Sequence, residues 1–315
     1  MTFITVIQKS NISDFENLLP MTIELSGNKN YIQLLEIFNK ETIKKAFLKK
    51  NMPKLDEKMN IIKSIICRWR NYQIAHYAKS AYGRELASLK NIHVGRRCFI
   101  IGNGPSLQAT DLNVLAKHNE ITFAFNRIYN IFEQTSWRPT YYISQDEKML
   151  RNTWEKMCTV PAKERFFPIE MKWYYNIPLH NALFFHQQNP KDILKPIFSE
   201  NISQFIGNSK TVAFTAMQLA VYMGIKEIYL IGTDHHFHTS INTKGEIIVD
   251  PTAKDYFCDA YNIDKKDLYI PNIDESTYTF IAAKQYGDAH GIKIFNATRG
   301  GKLEVYPRVN FESLF

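Results

Sequence analysis

The chain has little of what builds a stapled or metal-clipped scaffold. Its four cysteines, Cys67, Cys98, Cys158 and Cys258, lie far apart with no CxxC pair. That argues against a disulfide framework or a structural zinc ribbon and for reduced thiols. Thirteen glycines and twelve prolines in 315 residues are too few for a collagen-like or low-complexity chain. A content of 45% hydrophobic and 22% charged residues excludes wholesale disorder and suffices for one large domain or two modest ones. No apolar run approaches the roughly 18–20 residues of a membrane-crossing helix. Met1 to Ile7 lacks a basic n-region and a long apolar h-region, so a soluble, cytoplasmic protein is expected. Neither a GxGxxG fingerprint nor a P-loop is present.

What is there is unevenly placed. Residues 1–97 hold 17 Lys and Arg against 8 Asp and Glu, whereas the remainder holds 22 against 23. The whole excess of +8 therefore sits in the first third. Such asymmetry marks either a solvated helical face or an anionic partner, here an anionic membrane surface. Trp69, Tyr72 and Tyr77 interleave with Lys63, Arg68 and Arg70, but no RNA- or DNA-binding motif accompanies them, and nucleic acid is not an expected partner.

Hydrophobic spacing divides the chain near residue 95. Tyr31, Leu34, Leu35 and Phe38, then Met59, Ile62, Ile65, Ile66 and Trp69, recur at helical spacing, with a break at Asn51-Met52-Pro53. Residues 1–94 read as a basic helical region and 95–315 as the catalytic domain. Beyond Gly95, apolar runs over 98–101, 121–125, 140–143, 227–231 and 292–295 alternate with helical stretches at 211–223 and 276–290. Near-continuous apolar strands of this kind belong to a parallel sheet buried on both faces. The expected class is α/β, doubly wound and mostly parallel. The aromatic, proline-interrupted segment 150–205 reads as an irregular insertion with a strand near 182–185, and 235–273 as a polar, loop-rich stretch.

Ligands of open parallel sheets bind beyond the carboxyl ends of the strands. Those ends carry Gly102-Asn103-Gly104-Pro105-Ser106, Asn126, Ser144-Gln145-Asp146, Thr233 to His238, and Asn296. The two glycines of the first loop permit close approach of a ligand to the backbone, and a following helical turn offers N–H groups to a phosphate. Gly207-Asn208-Ser209-Lys210-Thr211 opens the 211–223 helix and is a second candidate anion site, with Asn208 or Ser209 as the alternative N-cap. In Asp234-His235-His236-Phe237-His238, an extended chain puts Asp234, His236 and His238 on one face. This arrangement suits a proton-transfer or phosphate-contacting role more than a metal site.

The strand followed by GNGPSL, the later Phe125-Asn126, and Gly224-Ile225-Lys226-Glu227-Ile228-Tyr229-Leu230-Ile231-Gly232-Thr233-Asp234 resemble bacterial sialyltransferases of the Campylobacter lipooligosaccharide type. They also resemble a wider 6-hydroxymethylpterin pyrophosphokinase-like group whose bacterial members include flagellin glycosylation factors. The resemblance covers roughly 95–300. It implies a GT-A-like variant of a nucleotide-binding fold with a lid over 235–273. The implied reaction is a metal-independent, inverting transfer of sialic acid or a related nonulosonate from its CMP donor to a sugar hydroxyl, in surface polysaccharide synthesis. Gly102, Asn103, Gly104, Pro105 and Ser106 would line the CMP site, with Asn126, Ser144, Gln145 and Asp146 along the donor and Thr233 and Asp234 closing it. A family tyrosine that holds the leaving phosphate falls on His236. The general-base position falls on Asp274, beside Glu275, with His238 a further candidate. A family arginine falls on Ser209, next to Lys210 and Thr211. The partners implied are a nucleotide-sugar donor and an oligosaccharide or lipid-linked acceptor, the basic N-terminal region holding the enzyme at the inner face of the membrane; no separate cofactor is implied. Two other readings stand beside it. One is pyrophosphoryl transfer from ATP to a pterin-like alcohol, with Mg²⁺ on Asp146 and Asp234. The other is a catalytically silent nucleotide-sugar-binding subunit.

Overall fold

The computed structural model describes residues 67–258 and 269–315. The helical periodicities at 31–38 and 59–66 and the break at 51–53 lie outside the described residues. The chain divides into two units, residues 1–71 and 72–315, and the second carries the sheet.

In chain order this second unit holds α1 (Ala81–Ala87), β1 (Arg97–Ile101), α2 (Ala109–Lys117), β2 (Ile121–Phe125), β3 (Tyr141–Ile143), α3 (Glu147–Cys158), β4 (Glu164–Pro168), α4 (Ile169–Trp173), β5 (Leu183–Phe185), β6 (Gln187–Gln188), β7 (Ile206–Gly207), α5 (Val212–Tyr222), β8 (Glu227–Ile231), β9 (Thr239–Ile241), β10 (Ile247–Val249), α6 (Ile273–His290) and β11 (Lys293–Asn296). Seven strands form one sheet in the order β11-β8-β1-β2-β3-β4-β5, and every pair is parallel. The α/β, doubly wound expectation is met. Burial on both faces is why the strands read as solid apolar runs: Phe99, Ile100, Phe123, Tyr141, Phe166 and Phe185 are all 0% exposed.

Two boundaries differ from the sequence reading. Residues 72–94 belong to the sheet-bearing unit, not to a separate N-terminal region. Tyr77 and Leu86 are fully buried in its core, and the Tyr77 hydroxyl donates to the Phe184 carbonyl at 2.6 Å. The segment 150–205 is not an irregular insertion. It supplies β4 and β5, which extend the sheet beyond β3. Pro168 ends β4 and is also the N-cap of α4, where its missing N–H breaks no hydrogen bond. Within 235–273, β9 and β10 form a short antiparallel hairpin. Among the described residues no helix is long and apolar enough to cross a membrane, and all four cysteines are free.

The strand order reverses at β1, whose neighbours are β2 on one side and β8 on the other. This is the topological switch point, where an open α/β sheet parts its loops.

Candidate functional site

A cavity of about 1260 Å³ opens at the carboxyl ends of the strands. Its wall takes residues from the loops after β8, β1, β2, β3, β4 and β5. Amides (Asn103, Asn126, Gln145, Gln187, Asn189, Asn208) and aromatic rings (Phe125, Tyr174, Tyr175, Tyr256, Tyr269) line it, alongside the charged Asp146, Glu147, Lys148, Glu170, Lys210, Asp234 and Asp255.

The glycine loop after β1 sits here, but not as an open phosphate cradle. Gly102 N–H donates to the Ile231 carbonyl and Gly104 N–H to the Gly232 carbonyl, both at 2.8 Å. Ser106 donates to Asp234 Oδ2 from its hydroxyl at 2.8 Å and its N–H at 3.4 Å, and Leu107 N–H donates to the Gly104 carbonyl. The carboxylate of Asp234 thus occupies the place expected for an anion. Desolvation by burial raises its pKa, opposed by the Ser106 hydrogen bonds. The glycines serve the approach of loop to loop. A Cβ on Gly102 would stand 2.2 Å from the Gly232 oxygen, and one on Gly104 would stand 1.9 Å from Asp234 Oδ2. Gly102, Asn103 and Gly104 border the cavity; Pro105 and Ser106 do not.

The second candidate anion loop is likewise engaged with its own chain. Gly207 N–H donates to Gln218 Oε1 at 2.8 Å, Asn208 N–H to the Gln188 carbonyl at 2.8 Å, and Ser209 N–H to Asn208 Oδ1 at 2.9 Å. The N-cap of α5 is Thr211, which accepts from Ala213 N–H at 3.3 Å, rather than Asn208 or Ser209. Ser209, Lys210 and Thr211 do border the cavity, and the exposed Lys210 ammonium lies 3.5 Å from Glu275.

At the end of β2, Asn126 adopts a left-handed backbone with φ +55°, a conformation asparagine tolerates better than most residues. Its Oδ1 accepts from the Ser144 hydroxyl at 3.1 Å. Ser144 itself is fully buried behind it and does not reach the cavity. Gln145 accepts from Thr215 at 2.7 Å, tying the end of β3 to α5. Asp146 is the N-cap of α3, accepting from Met149 N–H at 3.0 Å; burial raises its pKa.

The Asp234–His238 run does not present one shared face. Asp234 turns to Ser106. His235 is in the left-handed region, with its Nε2 2.7 Å from Thr277 Oγ1 and its ring edge-on to Phe280; burial lowers its pKa to about 4. His236 borders the cavity, its Nε2 2.7 Å from Asp250 Oδ2. Hydrogen bonds from Thr252 and His236 hold the Asp250 carboxyl below the usual range. His238 stands outside the cavity wall, and its N–H donates to Asp255 at 2.6 Å. Thr233 does border the cavity.

Asp274 and Glu275 are corrected as candidate bases. They occupy the first turn of α6, where Asn272 and Glu275 form a reciprocal capping pair: Asn272 Oδ1 accepts from Glu275 N–H at 3.0 Å and its Nδ2 donates to Glu275 Oε1 at 2.9 Å. Asp274 accepts from Thr243 N–H at 3.0 Å. Neither borders the main cavity; Glu275 borders a smaller one of about 210 Å³. Among the described residues, no three His, Cys, Asp or Glu side chains converge to hold a metal ion.

The sequence reading missed a pair that does border the cavity. Glu170, in the first turn of α4, holds His186, the residue directly after β5, through Oε1 and Nδ1. Their signal was their position after two strands, of which the one near 182–185 was expected and the one ending at Pro168 was not. Tyr256 was missed as well; burial pushes its pKa to about 12.

These features define an α/β protein with a composite cavity at the carboxyl edge of a parallel sheet. The family model described as "MptE-like: 6-hydroxymethylpterin diphosphokinase MptE-like" matches residues 72–240, just over half the chain, and the chain belongs to this family. No curated protein matches it. Among solved structures, the MAf glycosyltransferase from Magnetospirillum magneticum AMB-1 is similar at 17% identity and a TM-score of 0.44, over 84% of this chain and 43% of that one. The chain thus spans less than half the length of that protein.

Proposed function

We propose that the protein is a glycosyltransferase that moves a sugar from a nucleotide-activated donor to a saccharide hydroxyl. The observation that carries this reading is the cavity of about 1260 Å³ at the carboxyl edge of the sheet. It is large enough for two substrates, and amides and aromatic rings suited to neutral polyols and a nucleobase line it. The donor class most consistent with GNGPSL and the 224–234 stretch is a CMP-activated sialic acid or related nonulosonate. In that reading, Asn103, Asn126 and Gln145 hold the nucleotide, and Lys210, next to the Ser209 carbonyl that Gln145 reaches, supplies positive charge to the departing phosphate. The backbone of 102–106 acts as a fixed wall rather than an anion nest. The acceptor would be a glycan of the bacterial surface, and residues 1–71 would provide the contact with an anionic membrane.

The family description supports a second reading, Mg²⁺-dependent diphosphoryl transfer to a pterin-like alcohol. Asp146 and Asp234 border one cavity and are chemically suited to Mg²⁺. Each, however, already accepts hydrogen bonds from its own chain.

A thermal-shift panel with CMP, CDP, UDP, ADP and ATP, each in EDTA or in Mg²⁺, separates the two. A ligand that binds only the folded state adds about 2.7 kcal/mol at a hundredfold excess over Kd. Stabilisation by CMP and CDP in EDTA supports the transferase. Stabilisation by ATP with Mg²⁺ alone overturns it in favour of the diphosphokinase. Binding of a nucleotide sugar without any turnover would point to a silent binding subunit.

A further inference from the structure

We propose that His186, oriented by Glu170, takes the proton from the attacking acceptor hydroxyl, and that the β4–β5 end of the cavity is the subsite for a neutral acceptor sugar. This rests on the transferase reading above.

Two rigid neighbours deliver the pair. Glu170 follows β4 and His186 follows β5, and these strands are adjacent and parallel in the sheet. Both side chains are largely withdrawn from solvent, yet both residues border the cavity. Glu170 Oε1 accepts from His186 Nδ1 and, at 3.2 Å, from the Gln187 N–H. With its Nδ1 proton given to a carboxylate, a neutral imidazole keeps its lone pair on Nε2. No residue of the described chain hydrogen-bonds that nitrogen.

The second observation is Glu170 Oε2. It is buried and has no hydrogen-bond partner. A carboxylate oxygen left this way is costly unless something bonds to it. Glu170 Oε2 is closed off from the cavity, so Glu170 acts from behind the ring through Oε1, and a sugar hydroxyl donates to His186 Nε2 alone. Tyr174 and Tyr175 stand in the same wall.

Spacing across the sheet agrees. Strands lie about 4.8 Å apart, so the ends of β2 and β5, three strands apart, are separated by about 14 Å. A nucleoside monophosphate carrying one sugar spans that gap, with its base end near Asn126 and its anomeric carbon toward His186. In the reaction the hydroxyl proton passes to His186 Nε2. The oxygen forms a bond to the anomeric carbon, and the bond from that carbon to the phosphate oxygen breaks, its electron pair leaving with the nucleotide. His186 then releases its proton to solvent.

The test has two arms on the full chain, with wild type, His186→Gln and Glu170→Gln. The first uses no turnover: saturation-transfer NMR with galactose, N-acetylglucosamine and lactose, in the presence of CMP. Saccharide signal in wild type that falls at least fivefold in both variants, while each variant unfolds cooperatively and keeps its nucleotide-induced thermal shift, supports the subsite. Signal unchanged in the variants, or absent from wild type for all three sugars, overturns it. The second arm follows CMP release from CMP-N-acetylneuraminate with lactose as probe. His186→Gln should lower kcat by about 10²–10⁴-fold with little change in donor KM; an unchanged kcat overturns the base assignment. If no nucleotide stabilises wild type, the transferase reading fails on its own, and the saccharide arm still decides the subsite.

Discussion

Replacing Gly104 with alanine should test whether Asp234 is the clasp that closes the switch-point loops. The added methyl would stand 1.9 Å from Asp234 Oδ2, 2.7 Å from its Cγ and 2.8 Å from the Gly232 oxygen. None of these separations is tolerable, so Asp234 must swing away from Ser106 or the β8 loop must retreat. Overpacking of this kind costs about 1–3 kcal/mol, and loss of a hydrogen bond to a charged group costs about 1.5–3 kcal/mol. Because the two penalties overlap, Gly104→Ala should cost about 3 kcal/mol and lower Tm by about 6–12 °C. In an Asp234→Ala background the two shortest contacts disappear and only the Gly232 oxygen remains close. There the same substitution should cost about 1 kcal/mol. Urea denaturation of the four proteins, with a common m value, gives the cycle. A coupling of about 2 kcal/mol is expected. Additivity within about 0.5 kcal/mol would refute the reasoning, since Gly104 would then not be making room for that carboxylate.

Single contacts elsewhere in the fold have measurable consequences too. His235 binds its proton near pH 4 in the folded chain but near its ordinary 6.5 when unfolded. The unfolded state therefore holds more protons between those values, and stability rises with pH across that window. Acidification from pH 7 to 4 should remove about 3 kcal/mol through this ring, and His235→Asn should flatten that limb in pH-resolved urea titrations. Arg299 Nη2 donates to Asp111 Oδ1 at 2.9 Å, and Asp111 is only 4% exposed. Arg299→Ala should cost about 2 kcal/mol by chemical denaturation, with Arg299→Lys recovering less than half because the bidentate fork is lost. Tyr77→Phe should cost about 1–2 kcal/mol by leaving the Phe184 carbonyl unpaired; no measurable change would remove residues 72–94 from the sheet-bearing unit.

The chain by itself determined the class of fold. The runs at 121–125 and 227–231 coincide with β2 and β8 because a strand covered on both faces has no reason to alternate. The helices α5 and α6 were legible from their apolar content, whereas their caps, Thr211 and Asn272, were not. β5 falls where a strand was expected near 182–185, but β4 was not legible, and neither was the place of either strand in the main sheet. They are five and three residues long, β4 ends in proline, and their aromatic residues match no clean period. Of the residues named by the carboxyl-end rule, Gly102, Asn103, Gly104, Asn126, Gln145, Asp146, Thr233, Asp234 and His236 border one cavity, and the loop opening α5 adds Ser209, Lys210 and Thr211. What each polar group is free to do was decided only in three dimensions. Ser106 and Asp234 lie 128 residues apart, and their hydrogen bonds turn an apparent anion nest into a closed clasp. Glu170 and His186 become a pair only because β4 and β5 lie side by side and parallel. A hydrogen-bond donor or acceptor has a few ångströms of reach, so its availability depends on which strand the sheet places next to it.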